Sequence, residues 1–115
     1  MSIFGKQNYT EAELVDGCVR NERRAQEYFY RKFFPEMFRM VRRYTRDEDT
    51  TLEIVNNGFL RVFKKLHTYA FKGSLEGWVR RLVYHSMADH FRENARYLHF
   101  LVLEERDEII PQLGY

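Results

Sequence analysis

Apolar residues recur along this chain in steps of three and four, the period of a helix with one buried face. Ala25, Phe29, Phe33, Met37, Met40 and Tyr44 form one stripe and predict a helix from about Glu22 to Tyr44. Leu52, Val55, Phe59, Val62, Phe63 and Leu66 form a second, on a helix from about Thr50 to Leu66. Leu75, Trp78, Val79, Leu82, Val83 and Ser86 share the inner face of a third, from Leu75 to about Arg96. A shorter helix precedes them, starting near Glu11. Thr10 can cap it, Glu13 stands at the capping-box spacing, and Leu14, Val15 and Cys18 supply its apolar side. The pattern predicts an all-α fold, a compact bundle of about four helices.

Breakers and polar clusters mark the joints. Gly17 weakens the first helix, and Asn21 opens the next element. Pro35 removes a backbone donor inside the second helix, which predicts a kink or break near Phe34. TRDEDTT is a polar turn rich in capping residues, and HTYAFKG is a loop leading to Ser74, a cap for the last helix. After Arg96 the pattern changes to apolar LHFLVL, acidic EERDE, then Pro111 and Gly114. Residues 1–97 therefore read as one domain and 98–115 as a linker or weakly docked tail.

Composition adds limits. With 44% hydrophobic and 17% aromatic residues, 115 residues can bury a core. The net charge of +2 names no partner, but its distribution is uneven. Arg and Lys recur from Arg20 to Arg96, while Glu104, Glu105, Asp107 and Glu108 crowd the end. A basic body suits a polyanion, and an ordinary solvated helical surface suits the same counts. The single cysteine, Cys18, excludes a disulfide or a cysteine metal site within the chain; among Leu14, Val15 and Val19 it reads as core filler. No apolar run has signal-peptide length or the ~20 residues of a membrane span, so a soluble cytoplasmic protein without membrane insertion is expected.

Two outer faces carry candidate chemistry. On the third helix Glu53, Asn56, Asn57, Leu60 and Lys64 line up on one side. Paired Asn and a mid-helix Gly58 are poor helix formers, Gly costing ~1 kcal/mol relative to Ala. Such a helix often has a partner on that side, although a plain solvent face fits the same pattern. On the fourth helix Arg81, His85, Ala88 and Arg92 fall on one side, flanked by Arg80 and Tyr84. A cationic stripe with an aromatic can follow a phosphate backbone and stack on a base. The loop between these helices holds Tyr69, Phe71, Lys72, Gly73 and Ser74, parts suited to an unstacked base. One of its two aromatics is expected to plug the bundle end and the other to be exposed. Asp89 points to the edge of the core and reads as a structural carboxylate paired with an Arg.

Catalytic motifs are missing. There is no Gly-rich phosphate loop, and His85 and Asp89 stand four apart without a third metal ligand. His67, His90 and His99 are scattered. No cofactor, metal site or enzymatic activity is expected.

From Leu14 to Arg92 the chain resembles region 2 of sigma-70-type sigma factors, particularly the short extracytoplasmic-function group. RRYTRDED followed by TTLEIVNNGFLRVFKKL is similar to that family's docking helix, and HTYAFKGSLEGWVRRLV to its melting loop and following tryptophan. HSMADHFR is similar to the end of its promoter-reading helix, with Asp89 and Arg92 in the recurring Asp-x-x-Arg pattern. The ordered set, with Phe59, Trp78, Asp89 and Arg92 in step, is more specific than any piece.

The resemblance implies that Glu53, Asn56, Asn57 and Leu60 bind the β′ clamp coiled coil of the RNA polymerase core. It implies that residues 69–74 capture a flipped base of the −10 promoter element. Arg80, Arg81, Tyr84, His85 and Arg92 would then contact −10 DNA. Where the family usually has Gln and Glu, this chain has Asn56 and Asn57; where it often has Asn, this chain has Ser86. The resemblance also implies a second, helix-turn-helix domain absent from this sequence, hence a shortened chain, and an anti-sigma factor as a further partner. Two other functions fit the residues alone: a helical protein-protein interaction module reading through the Asn face, and a non-specific single-stranded nucleic-acid binder.

Overall fold

The computed structural model describes residues 8–104, with side chains through residue 97. Among these residues the elements are α1 (Glu11–Val19), α2 (Arg23–Arg42), α3 (Glu48–Lys65), a 3-10 turn (Leu66–Thr68) and α4 (Leu75–Glu104), with no strand. The fold is the expected all-α bundle.

Thr10 starts α1 with a complete capping box: its side chain accepts from the Glu13 amide and Glu13 accepts from the Thr10 amide. The helix ends in a Schellman arrangement. Asn21 takes the left-handed conformation (φ 62°), while Asn21 N–H donates to Cys18 O and Glu22 N–H to Gly17 O. Gly17 is a contact point rather than a weakness. A Cβ there would stand 2.7 Å from Ala25 Cβ, so glycine lets α1 close onto α2. Cys18 beside it is buried, and burial, helped by the Glu22 charge, pushes its thiol pKa up to about 12. The thiol stays protonated at neutral pH, as inert core filler.

In α2 the buried side is Ala25, Phe29, Phe33, Met37, Met40 and Val41. Tyr44, the expected end of the stripe, is 55% exposed beyond the helix. The expected break at Pro35 does not occur, and the helix runs on to Arg42. Pro35 and Arg31 both face solvent, so the Arg31 carbonyl that loses its helical donor can be hydrated. Phe29 is fully buried, with ring centroids at 4.8 Å from Phe33, 5.4 Å from Phe63 and 6.5 Å from Phe59.

Asp47 caps α3 by accepting from the Thr50 amide at 2.7 Å, which starts the helix ahead of the expected Thr50. Its buried side is Thr51, Ile54, Val55, Gly58, Phe59 and Val62. Leu52, expected inside, is 40% exposed, and Thr51 takes the interior place. A buried threonine is tolerated here because its hydroxyl donates to Asp47 O at 2.8 Å and pairs with the Thr45 hydroxyl.

Gly58 faces inward onto α4. A Cβ there would meet Val83 Cγ2 at 2.9 Å and Val83 Cα at 3.1 Å. The mid-helix glycine thus has an internal cause, a close backbone crossing of α3 and α4, and gives no sign of an outside partner. Substitution by Ala gains ~1 kcal/mol of helix propensity. It also forces apart a backbone atom and a stiff β-branched side chain, and overpacking costs ~1–3 kcal/mol. Gly58→Ala is expected to lose ~1 kcal/mol net in urea unfolding; a gain in stability would show that the crossing is looser than described.

Ser74 caps α4 by accepting from the Gly77 amide at 2.8 Å. Leu75, Val79, Leu82, Val83, Ser86 and Met87 are buried. Ser86 can face inward because its hydroxyl donates to Ile54 O at 3.2 Å. Trp78, expected inside, is half-buried and packs on the edge of the core. The helix continues to Glu104, well past the expected end near Arg96, and residues 91–97 are all exposed as it leaves the bundle. The segment read as linker therefore begins as helix. The acidic run from Glu105 and the Pro111 and Gly114 positions lie outside the described residues, as does the side chain of His99.

Candidate functional site

The loop from Tyr69 to Ser74 is built on a buried ring. Tyr69 is 6% exposed and seals the end of the bundle. Its hydroxyl reaches Glu11 Oε2 at 3.2 Å and Gly73 O at 3.3 Å. Burial first, then the Glu11 charge, raises the phenol pKa, so the hydroxyl remains a donor at neutral pH. Phe71 packs on Tyr69 with the rings tilted by 54° and centroids 4.9 Å apart, yet is 51% exposed. One loop aromatic plugs the bundle and the other faces out; Tyr69, grouped with the DNA-contacting residues in the sequence, sits beneath the surface as a support. Trp78 also packs against Tyr69, with centroids 5.4 Å apart.

Phe71 is held at φ 59°, a left-handed conformation that costs a bulky residue of order 1–3 kcal/mol. Gly73 has φ 76° and open space around a would-be Cβ, so the position needs glycine for its backbone and has room for more. Lys72 and Ser74 are exposed.

The loop leads into the outer face of α4, where Arg81, Tyr84, His85, Ala88 and Arg92 are exposed in line. Their charges are not equally free. Arg80 is shared between Glu76 at 2.6 Å and Glu36 at 3.1 Å. Arg92 bonds Asp89, whose other oxygen takes Arg61 of α3 at 2.7 Å. Arg61 first, then Arg92, holds the Asp89 carboxyl below the usual range, so it is ionised at neutral pH. This is the structural carboxylate expected from the sequence. Arg81 makes no ion pair among the described residues. The Tyr84 phenol is raised, first by its hydrogen bond with Tyr44.

The expected docking residues divide. Glu53, Asn57 and Leu60 line the α3 wall of an open cleft of about 630 Å³, whose other wall includes Asp89, Arg92 and Arg96 of α4. Leu60 is 63% exposed, a bare apolar side chain in a polar rim. Asn56 is absent from this wall. It turns toward α2, where Tyr30 Oη donates to its Oδ1 at 2.7 Å. Tyr30, Arg61 and Glu11 all organise the site, and none carried a signal in the sequence. Each acts through a partner 26, 28 or 58 positions away.

Among the described residues no three His, Cys, Asp or Glu side chains gather as a metal site, and Asp89 is committed to two arginines. No described helix is long and apolar enough to cross a membrane.

The chain gives no match to a curated protein or to a solved structure. The family model described as Sigma-70 region 2 matches residues 29–97, from the central phenylalanine of α2 to the exposed end of α4. That span is more than half of the chain and contains the loop, the α4 stripe and the residues expected to dock, so the chain belongs to the sigma-70 region 2 family.

Proposed function

We propose that this domain is region 2 of an extracytoplasmic-function sigma factor. In this reading α3 docks on the clamp coiled coil of the polymerase β′ subunit, and the loop and α4 recognise and melt the −10 promoter element. Membership in the family already gives a role in transcription initiation, with polymerase core and promoter DNA as partners. The observation that supports the finer reading is the aromatic platform: Phe71, half exposed on a buried Tyr69, in the loop that leads along the chain into α4 with its exposed Arg81, Tyr84 and His85.

The energetics need no fuel. Unstacking a base costs a few kcal/mol, and stacking it on an aromatic returns ~1–3 kcal/mol. Because Arg80 and Arg92 are already paired with carboxylates, the α4 face offers less free positive charge than its residue count suggests. Affinity for DNA without polymerase should therefore be weak, and polymerase contacts supply the remaining bias toward the open state.

Binding to purified polymerase core tests the docking part. The triple change Glu53→Ala/Asn57→Ala/Leu60→Ala should weaken binding at least roughly thirtyfold, the effect of ~2 kcal/mol if just one of the three is an interface anchor. The fold should stay intact, since all three side chains are exposed. Unchanged binding would sink the docking assignment and favour a helical interaction module of another kind.

A further inference from the structure

A loop that presents an aromatic at positive φ needs something to hold it, and the fixings here come partly from outside the loop. Phe71 rests on Tyr69, so the position of Tyr69 sets the position of Phe71. The Tyr69 hydroxyl has one hydrogen and two acceptors within reach, Glu11 Oε2 and Gly73 O. An ionised carboxylate is the stronger acceptor of the two. The backbone of Glu11 is fixed, because it lies in the first turn of a helix closed by a full capping box, and its exposed side chain reaches from there to Tyr69. The α1 helix also packs against the 3-10 turn that delivers Tyr69. Yet α1 lies ahead of residues 29–97, the span that matches the family.

We infer that Glu11 is a positioning residue for the base-holding loop. It anchors the Tyr69 hydroxyl from α1, so that Tyr69 carries Phe71 in the exposed, left-handed presentation. This rests on the reading of the loop as a base trap. A carboxylate is an odd choice beside a nucleic-acid surface, since it repels phosphate. Its value is as an acceptor, and the neutral amide of Gln would serve the same hydroxyl without the repulsion.

The test uses the whole chain with polymerase core and a short single strand of mixed sequence carrying 2-aminopurine. Binding is read by the probe on the core-bound chain, and loop packing by acrylamide quenching of Trp78 in the chain without core, where it is the only tryptophan and lies against Tyr69. Glu11→Ala is expected to increase Trp78 quenching and to weaken strand binding about fivefold, the value of one hydrogen bond. Glu11→Gln should restore both. Tyr69→Phe should reproduce the loss, and adding Glu11→Ala to it should change nothing further, as groups acting through one bond are non-additive. Docking on the core should be the same in every variant.

Unchanged quenching in Glu11→Ala overturns the inference, whatever the strand does. So does full additivity with Tyr69→Phe. If the unaltered chain on polymerase fails to bind the strand, the base-trap reading falls instead, while the quenching comparison still decides whether Glu11 places Tyr69.

Discussion

Replacing Phe29 by Ala is expected to remove ~3–5 kcal/mol of stability, the range for truncating a fully buried aromatic. Phe29 has no exposed surface, and its ring touches three others. Phe33 belongs to its own helix, while Phe59 and Phe63 belong to α3, so the vacancy would open at the α2–α3 seam. The surrounding rings cannot collapse into it without leaving their own contacts. Domains of this size hold a total of ~5–15 kcal/mol, so the variant would be near the edge of folding. At ~4–8 °C per kcal/mol, the melting temperature should fall by at least roughly 12 °C. Thermal unfolding followed by circular dichroism measures this. A fall of only a few degrees would mean that the seam is held elsewhere. Phe29→Leu, which keeps most of the volume, should cost much less.

Phe71→Ala should do the opposite: little to stability and much to binding. The ring is half exposed, so its removal forfeits little folding energy, and Ala keeps the Cβ that disfavours φ 59°, so the backbone strain is unchanged. If the loop holds a base, the lost stacking is worth ~1–3 kcal/mol, or roughly 5- to 150-fold in strand affinity on the polymerase-bound domain. Fluorescence anisotropy of a labelled single strand reads the affinity, and the melting curve reads the fold. Phe71→Tyr keeps a ring face and should keep most of the affinity. Strand affinity unchanged by Phe71→Ala would remove this side chain from the base-binding proposal.

The helices were legible because their apolar period is strong and their caps are conventional. Thr10, Asp47 and Ser74 each accept from an amide at a helix start. The errors share one cause: hydropathy ranks residues without seeing partners. Leu52 looked more suitable for the interior than Thr51, but only Thr51 has a carbonyl waiting for its hydroxyl. Gly58 looked like a weakness in need of an outside partner, and the partner is Val83, in the next helix. Tyr44 fitted the α2 stripe by spacing, yet the helix stops at Arg42 and Val41 closes the core.

The candidate site divides the same way. The α4 stripe was visible as a period, and its outer residues are exposed as that period required. The state of each charge was not visible. Arg80 is neutralised partly by Glu36, across to α2, and Asp89 is claimed by Arg61 from α3. Asn56 has the spacing of the expected docking face, but Tyr30 draws its amide toward α2. Pairs at such separations leave no trace in local spacing.

The crossing at Gly58 has a consequence for how a domain without fuel can act. Where α3 meets α4 the backbones nearly touch, Ser86 grips the Ile54 carbonyl, and Arg61 clasps Asp89 a turn further on. These contacts tie the two helices at three places along one seam. Under the proposed function one carries the polymerase contact and the other the DNA contact. The domain then works as a jig and transmits no stroke: seating its one edge on the enzyme fixes, to within side-chain tolerances, where a strand must lie to meet the other.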